Sequence, residues 1–407
     1  MAQSGEAMKD QVLVAGAGPV GVTAAYALLR QDIPVTLLEA SEDLPSDPRA
    51  STFHPPTMEM LDEIGLAEPL HAMGLEVKKW QYRDRREGLI AEFDLGVLSG
   101  LTRYPFRLHC EQYKYARMVL EIIRTMPHCT VHMGAAVNNY TQDADSVSVT
   151  TEGPGGVRTF GGRYLIGCDG GRSEVRRCMG TKFDGFTFEE RFLVLTTPHD
   201  FEPDGFAYTT YLADPDEWVS MFKVPAGGPP GHWRVVFPMG PEATDEEIFG
   251  DTAVQARLQA FHPLDPPYEV LHRNLYAVHQ RIAETFRQRR VFLAGDAAHI
   301  NNPLGGMGLN FGIHDALNLG DKLGTVWRSE GDEALLDLYV RQRRTVAVEY
   351  LHAQTLQNKR DLEERDPAAR AKRQDQWRET AGDPDKALGF LRRTAMFEGV
   401  ERARSIQ

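Results

Sequence analysis

The sequence predicts an α/β fold: a parallel sheet with a small antiparallel sheet, an interleaved α+β second domain, and helices at the C-terminal end. Three stretches predict it, residues 11–39, 164–176 and 290–327. In each, a short apolar run of strand composition stops at glycine, or at an acid beside glycine, and a helical pattern opens. Between the second and third lies an aromatic, Pro-rich region that reads as strands, residues 185–285.

In the first stretch, residues 11–15 form a buried strand, Gly16-Ala17-Gly18-Pro19-Val20-Gly21 a turn, residues 22–29 an Ala-rich helix, and residues 35–38 a second strand ending in Glu39. This is a dinucleotide fingerprint in its required strand–turn–helix–strand context. Gly16 makes the tight turn, Gly18 admits a pyrophosphate, Gly21 lets helix and strand pack, and Glu39 accepts ribose hydroxyls. Arg49 follows, either a surface arginine or a charge near the cofactor. His54, in the same loop, is either a satisfied structural histidine or a base.

Residues 76–106 alternate strand-like pieces with charge and look like an excursion into the second domain. A helix over residues 111–126 carries Gln112 and Arg117 at its start, and Arg117 reads equally as a solvated charge or a cofactor contact. Short strands follow at 130–133, 146–151 and 157–160. The second stretch then ends its strand at Cys168-Asp169-Gly170-Gly171. In residues 185–285 an antiparallel sheet is expected. Its apolar face is either core or the wall of a pocket for a flat ligand, with Tyr208, Tyr211, Phe222 and Arg234 as lining and anchor candidates.

The third stretch places Asp296 at a strand end, where a carboxylate can bond a polyol. Pro303, Gly305 and Gly306 form a loop, and Gly308, Leu309 and Asn310 open a helix running to about residue 327. Glycines let backbone N–H groups approach a flat ring, and a helix N-terminus stabilises negative charge placed there. Asp296 and His299 have the spacing of a metal pair, but their place inside this motif argues against it, and no metal site is expected. Segments 333–357 and 370–404 are rich in Arg and Glu and read as helices with a solvated face.

With 407 residues and 42% hydrophobic content the chain suits two or three domains. A net charge of −13 argues against nucleic acid, and no apolar run is long enough to span a membrane. The polar residues 1–10 lack a signal-peptide centre, which makes a cytoplasmic protein the expectation. Cys110, Cys129, Cys168 and Cys178 show no metal spacing and read as reduced thiols.

The set G-A-G-P-V-G with Glu39, C-D-G-G-R-S-E-V-R and G-D-A-A-H-x-x-x-P-L-G-G-M-G-L-N resembles the single-component FAD-dependent aromatic hydroxylases, the para-hydroxybenzoate hydroxylase-like flavoprotein monooxygenases, over about the first 350 residues. The resemblance implies a Rossmann-type FAD-binding domain over residues 8–75, 101–185 and 276–345. It implies a substrate domain over 76–100 and 186–275, with 346–407 as a C-terminal helical segment. Gly16, Gly18, Gly21 and Glu39 would hold the FAD adenosine diphosphate. Arg49, Gln112, Arg117 and Asp296 would approach its phosphates and ribityl chain. Asp169 and Gly170 match a motif credited with flavin and nicotinamide contacts. Pro303 and residues 305–310 would line the flavin ring; Met307 departs from the family's frequent Gln.

The chemistry implied is reduction of flavin by NADH or NADPH, addition of O2 to give a flavin C4a-hydroperoxide, and oxygen transfer to a small aromatic substrate. His54, Tyr208, Tyr211 and Pro303 are the catalytic candidates. Glu42 and Asp43 favour NADH by repelling a 2′-phosphate. A monomer or homodimer is expected. The rivals are a halogenase or dehydrogenase of the same fold, the former disfavoured because the tryptophans form no Trp-x-Trp-x-Ile-Pro signature, and a non-catalytic FAD-binding redox scaffold.

Overall fold

The computed structural model describes residues 10–46 and 50–407; Arg49 lies outside the described residues. Its centre is a six-stranded sheet in the order 287–288, 291–293, 164–167, 12–15, 35–38, 129–132. Val12–Ala15 lies parallel between Tyr164–Gly167 and Val35–Leu38, with Val12 opposite both Tyr164 and Val35. All three strands are buried along their whole length. That burial is why they read as continuous apolar runs without alternation. The helix Pro19–Leu29 packs against Gln112–Thr125 and Gly308–Trp327. Its small residues permit the close approach: a Cβ on Gly320 would stand 3.0 Å from the Cβ of Ala27.

A small antiparallel sheet joins 136–142, 147–152 and 158–162. A second sheet has eight strands, and it includes the early hairpin Lys79–Asp84 and Gly88–Asp94 at one edge. Strand Thr209–Ala213 pairs parallel with Lys79–Asp84, the rest of that sheet pairing antiparallel. The excursion at residues 76–106 and the aromatic region therefore build one surface. Period-two alternation divides its side chains between two apolar clusters. Phe192 and Val236 pack with Trp80 and Trp218 on one face; Leu193, Val235 and Phe237 pack with Phe201 and Trp233 on the other.

The C-terminal region corrects one expectation. Residues 370–404 do not form one segment; three helices run Pro367–Gly382, Pro384–Thr394 and Phe397–Ser405. Asp366 and Asp383 cap the first two through their carboxylates, each followed by proline at the first helical position. Nor is their face merely solvated. Ala387, Leu391 and Ala395 are buried, and Trp377 and Phe390 pack against Trp80 and Phe93. Most of the Arg and Glu residues occupy the outer side, but Arg370 turns inward and bonds the buried Asp84 at 2.7 Å. Among the described residues no helix is long and apolar enough to cross a membrane, and the four cysteines are free thiols.

Candidate functional site

The first glycine turn separates chain geometry from ligand geometry. Gly16 has φ +98°, and a Cβ there would lie 2.5 Å from the Cys168 carbonyl oxygen. A Cβ on Gly21 would lie 1.8 Å from the Gly16 oxygen. Gly18, by contrast, has nothing within 4 Å of where a Cβ would be. Two glycines are demanded by packing and the middle one borders open space. The helix that follows has no side-chain cap, so its first N–H groups are left for a ligand. Glu39 lies beside the turn, accepting the Ala17 N–H at 2.6 Å and the Ser41 N–H at 2.9 Å.

Arg117 donates to the Leu44 carbonyl at 2.5 Å and pairs with Asp43 at 3.3 Å, binding the 41–46 loop to its helix. Gln112 opens that helix and is half-buried. Asp169 caps the short helix Glu174–Met179, accepting from Ser173 Oγ at 2.5 Å and from the Glu174 and Val175 N–H groups at 2.7 and 3.0 Å. Gly170 beside it has φ +78° and open space. Arg176, which the sequence reading passed over, donates to the carbonyls of Gly171 and Ala297, both at 2.8 Å, and so joins the second motif to the third.

In the third motif Asp296 is exposed between buried neighbours at 291–295 and 297–299. His299 does not pair with it as a metal ligand would. Its Nε2 bonds Asp315 at 2.7 Å, and Asp315 also accepts from Arg343 Nε at 2.6 Å and the Gly295 N–H at 3.0 Å. Burial alone would raise the Asp315 carboxyl, but His299 and Arg343 hold it below the usual carboxylate range.

The 303–310 loop is braced from the other side. Asn310 donates to the Thr52 and Gly306 carbonyls at 2.8 Å each and accepts the His54 N–H at 2.8 Å. Its side chain is thus wholly engaged within the protein. His54 Nε2 donates to the Gly305 carbonyl at 3.0 Å, and burial holds its pKa well below the usual histidine value. Pro303 is exposed, Leu309 is buried, and the helix Gly308–Trp327 again begins with no side-chain cap. Two helices with uncapped N-termini, each entered from a glycine turn, suit a ligand that brings a pyrophosphate to one and a flat, electron-accepting ring to the other. FAD carries both groups in one molecule.

Beside Gly305 lies a cavity walled by Trp80, Tyr82, Trp377 and Phe390, with Met307 and Tyr211 on the loop side. Arg107 lines it and is 4% exposed. Among the described residues no carboxylate pairs with this cation; its neighbours are the Tyr211 phenol and the Trp80 ring, 5.6 Å away. Tyr211 accepts the Gly305 N–H at 3.1 Å, and burial raises its pKa. Phe222 and Arg234 share the Tyr211 face of the sheet, the Arg234 guanidinium lying 5.8 Å from the Phe222 ring. Tyr208 does not join them. It lies just before the strand Thr209–Ala213, packs in the opposite cluster and donates to Glu202 at 2.8 Å. Arg107, Trp80, Trp377 and Phe390 were missed from sequence. For Arg107 a signal existed, a lone cation in the apolar run Phe106-Arg107-Leu108. For Trp377 and Phe390 charged neighbours obscured it.

A parallel sheet with this fingerprint, a second acid–glycine motif and a braced glycine loop define an FAD-dependent oxidoreductase. A family model described as "FAD binding domain" matches residues 9–354. The chain is 34% identical over 383 residues to para-nitrophenol 4-monooxygenase of Pseudomonas sp. strain WBC-3, covering 94% of each chain. It is 33% identical to 6-hydroxy-3-succinoylpyridine 3-monooxygenase of Pseudomonas putida strain S16, covering 88% of this chain and 91% of that one. The crystal structure of p-nitrophenol 4-monooxygenase from Pseudomonas putida DLL-E4 superposes with a TM-score of 0.90 at 32% identity, over 96% of this chain and 98% of that one. The chain belongs to the FAD-dependent aromatic hydroxylase family. It is an NAD(P)H-dependent flavoprotein monooxygenase that hydroxylates a small aromatic compound.

Proposed function

We propose that the substrate is a single-ring phenol or hydroxypyridine that binds as an anion in the cavity beside Gly305, and that NADH is the preferred electron donor. One observation carries the substrate reading: Arg107 is a buried guanidinium with which no carboxylate among the described residues pairs, set among aromatic rings. Holding an unpaired cation out of water is costly, and an oxyanion on the ligand would offset that cost. Para-nitrophenol and 6-hydroxy-3-succinoylpyridine, named for the relatives, are single rings that can each present an anion, an acidic phenol in the first and a carboxylate in the second, and suit such a pocket.

Bound FAD supplies the electron transfer and the activation of O2. The chain supplies the rest. Gly16, Gly18, Gly21, Glu39, Arg117 and Asp296 hold the nucleotide and ribityl parts, and residues 305–310 present the ring. Tyr211 orients the substrate hydroxyl and ties it to the Gly305 peptide. The apolar wall of Trp80, Trp377 and Phe390 excludes water, which protects the oxidising species from wasteful decay; Phe222 and Arg234 lie on the same sheet face but do not line the cavity. His54 acts by positioning the loop, and Tyr208 has no part in the site. The NADH preference rests on the exposed acids Glu42 and Asp43 beside the Glu39 strand end.

The test is NADH oxidation by the FAD-loaded protein with 4-nitrophenol, 6-hydroxynicotinate and neutral anisoles. Stimulation by the acidic rings, with a product one oxygen heavier, is expected; equal stimulation by anisoles would refute the anion reading. A higher kcat/KM with NADPH than with NADH would refute the donor preference.

A further inference from the structure

On the far side of the eight-stranded sheet from the cavity, three side chains converge without any part in the reaction. His199 follows the strand Phe183–Thr197, Asp204 lies in the next turn, and His262 ends the helix Asp251–Phe261. His199 Nε2 stands 3.0 Å and His262 Nε2 3.2 Å from the same Asp204 carboxylate oxygen, and one donor atom from each of the three falls within 4.8 Å of the others. We propose that this cluster is a binding site for a divalent transition-metal ion, Zn²⁺ being the best match.

The dimensions suit that ion. Tetrahedral zinc with bonds of about 2.0–2.1 Å spaces its donors roughly 3.3 Å apart, so the two measured edges need to open by only a few tenths of an ångström. The donor set is two imidazoles and one carboxylate, which selects zinc, copper or nickel over calcium or magnesium. Three protein donors also leave a fourth position for water.

The rings are held ready. His199 packs edge-on against Phe201 at 4.6 Å and Tyr268 at 5.5 Å; His262 lies 5.7 Å from Phe201 and 5.8 Å from Phe206. Phe201 is fully buried, so both imidazoles are seated on the core rather than swinging in solvent. The turn also carries Asp200 and Glu202, which pair with Lys223 at 2.9 and 3.7 Å, and Arg83 reaches the same turn by donating to the Gly205 carbonyl at 2.6 Å. An ion here would tie the turn after residue 197 to the end of the 251–261 helix, adding to the packing of Phe201 and Phe206 on Phe261 that already joins them. It would stabilise the substrate domain without touching the cavity.

The experiment is a calorimetric titration of tag-free, chelator-treated holoenzyme with Zn²⁺, repeated on Asp204→Asn and His262→Ala, with melting temperatures read in parallel. One bound equivalent and a raised melting temperature are expected for the parent. Affinity should weaken at least ~10-fold in each variant, with FAD content and metal-free hydroxylase rate unchanged. Absence of a bound equivalent would overturn the proposal. So would a bound equivalent that both folded variants retain, which would mean zinc binds elsewhere.

Discussion

His54 Nε2 lies 3.0 Å from the carbonyl oxygen of Gly305, so a histidine more than two hundred residues earlier in the chain sets the height of the 303–310 loop. Burial first, then the Arg107 charge, hold His54 neutral. A neutral imidazole whose N–H is committed to a carbonyl is a brace. His54→Gln, which keeps a donor, is expected to retain most of kcat/KM, while His54→Ala loses roughly tenfold, as one buried hydrogen bond implies. The shape of the pH–rate profile between pH 6 and 9 should be the same in all three proteins. An acid limb that vanishes in His54→Gln would make His54 a base after all.

The glycines of the first turn divide by what they face. Gly18→Ala meets open space within the protein, so the variant is expected to melt near the parent but to bind FAD at least ~10-fold more weakly. Gly21→Ala must displace the Gly16 carbonyl and is expected to lose both stability and flavin. Absorbance at 450 nm and a thermal melt separate the two. Equal loss of stability in both would show that Gly18 serves packing.

This division marks how far the sequence was legible. The three strand–glycine–helix units were readable because each is contiguous in the chain, an apolar run, glycines and a helical pattern in order, even though its packing partners are distant. The cavity was not. Arg107, Tyr211, Trp377 and Phe390 meet only because the sheet brings residue 80 beside residue 211 and the C-terminal helices close over both. Asp169 and Asn310 were legible as motif members, yet their side chains serve the protein's own backbone. Tyr208 and Tyr211 looked alike in sequence, and strand parity put them on opposite faces.

Arg107→Met keeps the length of the side chain and removes the charge. Binding of an anionic substrate is expected to weaken by about 10–100-fold, most of it in KM, with FAD content unchanged. Tyr211→Phe should lower kcat more than it raises KM, because it also releases the Gly305 N–H. Steady-state kinetics on 4-nitrophenol distinguish these patterns. An Arg107→Met enzyme with unaltered KM would remove the cation from the substrate reading.

Asp315 is the buried centre of a network that fixes the Gly295 turn and the helix Ala334–Val346 together. Asp315→Asn leaves Arg343, itself 3% exposed, without its carboxylate. Breaking such a pair by removing one partner costs about 3–5 kcal/mol. The expected readouts are a large drop in melting temperature and loss of flavin. A melt within a degree of the parent would show that the network contributes nothing net.

Acid sensitivity follows from several buried histidines. Burial lowers His109 to about 4, His314 to about 3 and His352 to about 4, against 6.5 when unfolded. Above pH 6.5 each is neutral in both states and costs nothing. Between pH 6.5 and the folded values the unfolded chain binds more protons, so stability falls as pH falls, by about 1.4 kcal/mol per pH unit for each histidine. The window from pH 6.5 to 5 is where the unfolded histidines titrate and most carboxylates stay ionised, although burial raises Asp169, Asp321 and Asp361. His109 donates through Nδ1 to the Lys223 carbonyl at 2.7 Å, a bond that the amide of His109→Gln can also make. Denaturant melts of that variant should show a pH slope shallower by about one proton. An unchanged slope would mean that His109 takes up its proton in the folded protein as readily as in the unfolded chain.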